Sequence, residues 1–217
     1  MKVAEIWRYP VKSLKGEPLP EADVTALGIA GDREIVVTSS STGRVLTARK
    51  YPRLLGLRGG IGADGVATIN GVPWSSDEAH KLVEDAVGQP IELVKATGPE
   101  RFDILPLLVA TDGAFKTMGF DSRRFRPNIL IGGVEGLAER EWPPGVLSIG
   151  EVRIGIERLR PRCVMTTYDP DTQVQDNSVL KRIVSELDGT MALDCRVLHA
   201  GKIRVGDEVV LSESATV

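Results

Sequence analysis

The chain has 217 residues, 27 basic against 30 acidic side chains for a formal charge of −3, 42% hydrophobic residues and 5% aromatic ones. That length suits one large domain or two small ones, with a core built mainly on Val, Leu and Ile and roughly 70% of the unfolded surface buried on folding. A net negative charge leaves no broad basic footprint for duplex nucleic acid, so a bound anion must be met by a few local Arg and Lys groups.

Short apolar runs bounded by Gly, Pro, Asn and Asp dominate the chain and predict strands at 33–38, 44–47 and 54–57. Residues 66–74 predict a tight hairpin, with Asn70-Gly71 suited to the positive φ angles of a type I′ turn. Ser75-Ser76-Asp77-Glu78 is a capping-box start, with Ser75 and Glu78 as its two members. Ala79, Leu82, Val83, Ala86 and Val87 then share one helical face, and Gly88 suits the helix end. A strand at 91–94 precedes the best linker candidate, 96–101 with Gly98-Pro99, where the domain boundary is expected. Strands follow at 107–110 and 128–131, with a short helix at 112–118 between them. Residues 146–156 predict two strands broken at Gly150-Glu151, and 195–211 predict strands broken at Ala200-Gly201 and Gly206-Asp207. Between these, 177–187 predicts a helix with Val179, Ile183, Val184 and Leu187 inward and Gly189 closing it. Many short strands at such spacing point to barrels or sandwiches: a mostly β, α+β fold with a few helices.

The two cysteines, Cys163 and Cys195, cannot build a disulfide scaffold or hold an iron–sulfur cluster within the chain, since the common clusters need about four thiolates. No zinc-type Cys or His spacing occurs, and His80 (expected exposed) and His199 lack partners for a Ser–His–Asp arrangement. Charge lies where a signal peptide would be apolar, and no run approaches the ~20 apolar residues of a membrane span. The expectation is a cytoplasmic protein with neither membrane nor nucleic acid as partner.

Four segments carry candidate chemistry. In Arg8-Tyr9-Pro10-Val11-Lys12-Ser13, proline ends strand pairing, and Lys12 beside Ser13 suits an oxyanion, or is a solvated loop. Gly31-Asp32-Arg33, followed by Thr47-Ala48-Arg49, offers planar guanidinium forks at a strand start, or a structural ion pair. Arg123-Arg124-Phe125-Arg126-Pro127-Asn128 makes a local positive patch in an acidic chain. There Pro127 biases Arg126 toward extended backbone, and Asn128 can read a heterocycle edge. In Arg160-Pro161-Arg162-Cys163, guanidinium neighbours favour the thiolate, the form that binds metals, although a free cysteine is also a small apolar core residue. Asp169-Pro170 turns the chain back toward this segment. Cys195, within an apolar strand pattern, reads as core.

Together these segments resemble the MOSC-domain family, in its amidoxime-reducing branch. The matches are Tyr9-Pro10-Val11-Lys12-Ser13, Gly31-Asp32-Arg33, Arg124-Phe125-Arg126-Pro127-Asn128-Ile129 and Arg162-Cys163-x-x-Thr166-Thr167-x-Asp169-Pro170-x-Thr172. Ile203-Arg204-Val205-Gly206-Asp207 looks like the family's last hairpin. The resemblance implies two small β-barrel-like domains, an N-terminal one at 1–98 and the MOSC barrel at 99–217, with a molybdenum–molybdopterin cofactor between them. It implies Cys163 as the molybdenum ligand and catalytic residue. Lys12, Ser13, Arg33, Arg126 and Arg162 would hold the pterin and its phosphate, with Asn128 and Asp103 close by. Pyridoxal phosphate binding is a further property described at family level. Departures fall at Pro161, often a small polar residue in relatives, at Tyr168 and Gln173, where Val and Gly are usual, and at Met191-Ala192, where many relatives have an aromatic and a glycine. The implied reaction is reduction of hydroxylamines, amidoximes or N-hydroxylated bases. Because the chain ends without a ferredoxin-like extension, its electrons are expected from a separate ferredoxin, flavoprotein or cytochrome. The alternative is a carrier of cofactor or sulfur without its own reductase activity. Intact Lys12, Arg126 and Cys163 argue against a third reading, a β-barrel interaction protein that has lost the cofactor.

Overall fold

The computed structural model describes residues 1–213. Its first half holds β1 (Lys2–Arg8), β2 (Glu17–Leu19), β3 (Glu21–Thr25), β4 (Gly28–Ile29), β5 (Ile35–Ser39), β6 (Gly59–Ile61), β7 (Ala67–Ile69), β8 (Val72–Pro73), α1 (Asp77–Val87) and β9 (Ile91–Lys95). The second half holds β10 (Leu107–Thr111), α2 (Asp112–Met118), β11 (Ile129–Gly132), β12 (Gly145–Ile149), β13 (Val152–Pro161), α3 (Asn177–Leu187), β14 (Thr190–His199), β15 (Gly201–Arg204) and β16 (Val210–Glu213). The fold is mostly β with three α-helices, α+β as expected. None of those helices is long and apolar enough to cross a membrane.

One eight-stranded sheet, in the order β16-β12-β13-β14-β10-β11-β1-β2, forms the frame. Strands β10 and β11 are parallel, and α2 supplies the crossover that a parallel pair requires. Both read as continuous apolar runs because each is covered on two faces. Leu107, Val109, Ile129 and Ile131 point into a core shared with β3, β4 and β15. Leu108, Ala110 and Leu130 point the other way, against Phe115 of α2 and Val179, Ile183 and Leu187 of α3. A separate core gathers Val11, Leu14, Ile35, Leu54, Ile69, Val83 and Ile91.

The packing does not divide at residue 98. Strand β1 is hydrogen-bonded to β11 and β3 to β15, and Val3, Ile6, Val24 and Ile29 of β1, β3 and β4 are buried with the C-terminal strands. Residues 214–217 of the expected second domain lie outside the described residues.

Several local expectations are corrected. Residues 54–57 are no strand: Pro52, pre-set at the first turn, opens a 3-10 turn over Pro52–Gly56. In 44–47 a single bridge, Val45 to Thr38, replaces a strand. Arg33 ends a turn rather than opening a strand, because its φ of 56° is left-handed, and β5 begins only at Ile35. The α1 cap is Ser76, which accepts from Ala79 N at 3.2 Å, one residue after the expected Ser75. His80 is half-buried, its Nε2 lying 2.8 Å from Ile91 O. On α3, Val184 is 58% exposed rather than inward, and Asp188 makes the left-handed cap before Gly189. The last expected hairpin is two separate pairings, β15 on β3 and β16 on β12. The Asn70-Gly71 turn matches expectation, with φ of 51° and 89°.

Candidate functional site

Where the second core meets the frame sheet, loops from both sides enclose a cleft. Lys12, Ser13, Arg33, Asp103, Arg126, Asn128 and Arg162 all line it. Pro10 releases the chain from β1, and Lys12 N then donates to Ile35 O at 2.8 Å, which aligns the loop with β5. Ser13, Arg33 and Arg126 are each left-handed, with φ of 73°, 56° and 58°. The expectation of extended backbone at Arg126 is therefore wrong: the tight exit from the 3-10 turn at Ser122–Arg124 overrides the bias from Pro127. Left-handed non-glycine residues cost of order 1–3 kcal/mol each, and such strain collects at functional sites.

The charges are unevenly matched. Lys12, Arg33, Arg126, Arg160 and Arg162 face two carboxylates, Asp103 and Asp194. Asp103 bonds Lys12 at 2.9 Å and Arg49 at 2.6 Å. Burial opposes its ionisation, but the Lys12 hydrogen bond and the charges of Lys12, Arg49 and Arg160 outweigh it and hold the carboxyl below its usual range. Asp194 bonds Arg160 at 2.8 Å, and Asp32 pairs with Arg33 while accepting from Tyr9 N at 2.7 Å.

Arg126 and Arg162 have no acid partner among the described residues. Arg126 lies 4.2 Å from the centre of the Tyr9 ring, and Arg162 lies 5.0 Å from that of Phe125 while donating to Phe125 O at 2.9 Å. Burial pushes both guanidinium groups down to about 10, so both stay charged at neutral pH. Arg162 Nε and Nη1 are shut off from solvent with no hydrogen-bond partner. Two cations stacked on rings, one with orphaned donors, form a site shaped for an anion or a polar heterocycle.

Cys163 stands at the edge of this charge, half-exposed, at the head of the 3-10 turn Val164–Thr167. Thr166 fixes that turn by donating through N and Oγ1 to Cys163 O at 3.1 and 2.9 Å. Asp103 and Cys163 favour the charged form of Arg49 against burial. Cys195 by contrast is fully buried in the apolar core, and burial pushes its thiol well above the ordinary range.

Asn128 is placed at the cleft, but its amide is already engaged: Oδ1 accepts from Leu108 N at 3.2 Å and Nδ2 donates to Trp7 O at 3.3 Å. It joins three strands. Four further residues belong to the site: Tyr9, Arg49 and Arg160, which stood in the candidate segments without a cofactor role, and Asp194, which no segment included. Tyr9, 3% exposed, carries Arg126 and also Arg33, at 5.1 Å, on its ring. Arg49 arrives because Ser13 Oγ accepts from Ala48 N at 3.1 Å. Arg160, near the end of β13, lines the cleft together with Arg162 just beyond that strand. Asp194 comes from β14 opposite, where only tertiary pairing reveals it.

Comparison with known proteins identifies this arrangement. Residues 1–85 match the MOSC N-terminal beta barrel domain, and residues 110–210 match the MOSC domain. The chain belongs to the MOSC-domain family. Human "Mitochondrial amidoxime reducing component 2" is 28% identical across 95% of this chain and 82% of that protein. Human "Mitochondrial amidoxime-reducing component 1" is 27% identical across 79% of this chain and 67% of its own length. The crystal structure of the YUAD protein from Bacillus subtilis superposes with a TM-score of 0.53 at 12% identity, covering 97% of this chain and 94% of that one, which speaks to the fold alone. In this MOSC chain the residues present fit the pterin-type cofactor associated with the family: the orphaned Arg162 donors and unpaired Arg126 suit its polar and anionic groups, and a half-exposed thiol stands beside them.

Proposed function

We propose that this chain binds a molybdenum–molybdopterin cofactor in the cleft, with Cys163 as the metal ligand, and reduces N-hydroxylated compounds. The observation that carries the reading is the pair of buried, partnerless nitrogens of Arg162 beside the Cys163 turn. The names of the relatives, amidoxime reducing components, supply the substrate class.

Lys12, Arg33, Arg126 and Arg162 would neutralise the cofactor's phosphate and hydrogen-bond its ring edges. The Ser13 hydroxyl, which accepts from Ala48 N, keeps its own proton free to donate. Asp103 holds Lys12 and Arg49 in place, and Tyr9 and Phe125 keep the guanidinium planes flat. Fixed donors aimed at developing charge need no reorganisation during reaction. The cofactor, when bound, supplies the two-electron capacity for N–O cleavage. In overall balance a hydroxylamine takes two electrons and two protons and leaves an amine and water, the electrons coming from a separate donor protein.

Metal and pterin analysis of purified protein and of Cys163→Ala tests the ligand assignment. Molybdenum should fall severalfold in the variant, and equal content in both proteins removes Cys163 from the site. An artificial reductant with phenylhydroxylamine tests the activity. Absence of turnover by cofactor-loaded protein favours a carrier of cofactor or sulfur.

A further inference from the structure

Beyond Arg126 and Met165, which form a shared wall with the cleft, lies a second chamber of about 310 Å³. That volume is at the small end of ligand pockets and suits one ring with a substituent. Trp7, Tyr9 and Tyr168 give it aromatic walls in a chain with few aromatics. The Tyr9 ring also lies flush on Gly16, where a Cβ would come within 2.5 Å of it.

Five cations line the chamber against one carboxylate, Asp171. Two are already occupied. Arg124 binds Asp169 at 3.0 Å and Thr167 O at 3.1 Å, and Arg123 is clamped between Asp121 and Asp171 at 2.7 and 2.8 Å. Lys15 and Arg58 are not: neither side chain makes an ion pair or hydrogen bond among the described residues. A β-bridge pairs their backbones, flanked by Lys15 N donating to Leu57 O and Gly59 N to Lys15 O, both at 2.8 Å. Arg123 holds the Asp171 carboxyl below its usual range and Lys15 adds its charge to that effect, whereas Arg58 faces no such acid in an ion pair among the described residues.

We propose that this chamber recognises the phosphate-bearing end of a flat, aromatic substrate, with Lys15 and Arg58 on the phosphate and Tyr9, Trp7 and Tyr168 around the ring. As a statement about substrate it rests on the reductase reading. The chamber's preference for an aromatic phosphate is a property of the chain and is tested separately. Phosphate suits two adjacent cations because it offers several acceptor oxygens and close to two negative charges.

The test is calorimetric titration of the full chain, cofactor-free and cofactor-loaded, with phenyl phosphate, benzoate, benzamide and inorganic phosphate. Phenyl phosphate should bind best, and Lys15→Gln and Arg58→Gln should each weaken it about tenfold or more, the loss expected for one charge-assisted hydrogen bond. Circular dichroism and thermal unfolding check that both variants fold. Unchanged affinity in the folded variants overturns the proposal, as does equal binding of benzamide. Equal binding of inorganic phosphate removes the ring from recognition and overturns it too. Loss of phenyl phosphate binding on cofactor loading assigns the chamber to the cofactor's own phosphate, with the same consequence. With loaded protein, phenylhydroxylamine carrying a para-phosphate should be reduced with higher kcat/KM than the parent compound, and both variants should lower that ratio. Turnover of neither, with phenyl phosphate binding intact, refutes the reductase reading and leaves the chamber's preference standing.

Discussion

Replacing Arg162 by methionine should stabilise the cofactor-free chain while emptying the cleft. Burial, with Arg160 adding repulsion, pushes the guanidinium from its ordinary value down to about 10. At about 1.4 kcal/mol per unit, the charged side chain costs the empty protein about 3 kcal/mol. Against that stand the hydrogen bond to Phe125 O, about 1 kcal/mol, and the Phe125 stack, about 0.5 kcal/mol. Methionine fills a similar volume without a charge, so the net gain is about 1–2 kcal/mol. For a chain of this size each kcal/mol moves Tm by about 2–4 °C, so Arg162→Met should melt roughly 2–8 °C higher when both proteins are cofactor-free. A depressed folded value for a cation means that the penalty is fully present below about pH 10 and fades as pH rises from there toward the ordinary arginine value. The gain should therefore be equal at pH 7 and pH 9. Pterin content after matched purification should fall at least tenfold. A cofactor-free variant that melts below the parent, or one that retains full pterin, would refute the reasoning, since Arg162 would then be a structural pillar rather than a binding group held at a cost.

Asp103→Asn should release Lys12 and Arg49 and raise the affinity of the cofactor-free chain for sulfate severalfold, read by titration. Because the Asp103 carboxyl is held low, its stabilisation, at most about 1 kcal/mol for a partly exposed pair, is present at neutral pH and lost as pH falls through the folded value. The variant's deficit should accordingly vanish in acid. Asn128→Ala leaves Leu108 N and Trp7 O without partners and should cost about 2–4 kcal/mol, seen as a fall in denaturation midpoint. Ser76→Ala should cost about 1 kcal/mol and Ser75→Ala almost nothing; the reverse order in urea denaturation would return the α1 cap to Ser75.

Elements with strong periodicity were legible from the sequence. α1 and α3 announce themselves by apolar spacing and caps, and the Asn70-Gly71 hairpin by its turn chemistry. The run 54–57 was not, because three leucines and a glycine suit a buried strand as well as a buried turn, and Pro52 decides the matter from outside the run. The packing across residue 98 was not legible for a different reason: pairing of β1 with β11 joins residues more than a hundred positions apart, which no local pattern records. At the site, the basic residues were legible as types in unusual local density. Their partners were not. Asp194 and Arg49 reach the cleft only through strand register and a single hydrogen bond from Ala48. Asn128 looked like a reader of ligand edges, yet the same donor and acceptor atoms serve the backbone equally well.

The two departures near the cysteine acquire a physical meaning from the backbone. Gln173 and Ala192 stand where the family resemblance leads one to expect glycine, and both are left-handed, at φ of 58° and 68°. Glycine would adopt those angles at no steric cost, whereas a side chain there costs about 1–2 kcal/mol. Gln173 recovers part of this by donating from Nε2 to Asp171 O at 2.8 Å and Pro170 O at 3.3 Å, so the turn beyond Cys163 keeps its path with a different residue. Ala192 has no polar side chain with which to do the same; it is 2% exposed and two positions from Asp194. With Ser13, Arg33 and Arg126, the strained residues thus lie on both sides of the seam. Their strain is carried by the fold throughout, whereas the cost of buried guanidinium groups without anions weighs on the empty protein alone. A ligand that binds the folded state and meets those charges returns stability that grows with the logarithm of its concentration over Kd, about 2.7 kcal/mol at a hundredfold excess. Loading should therefore raise Tm more in this chain than in Arg162→Met, because the variant has neither the penalty to relieve nor the donors to satisfy.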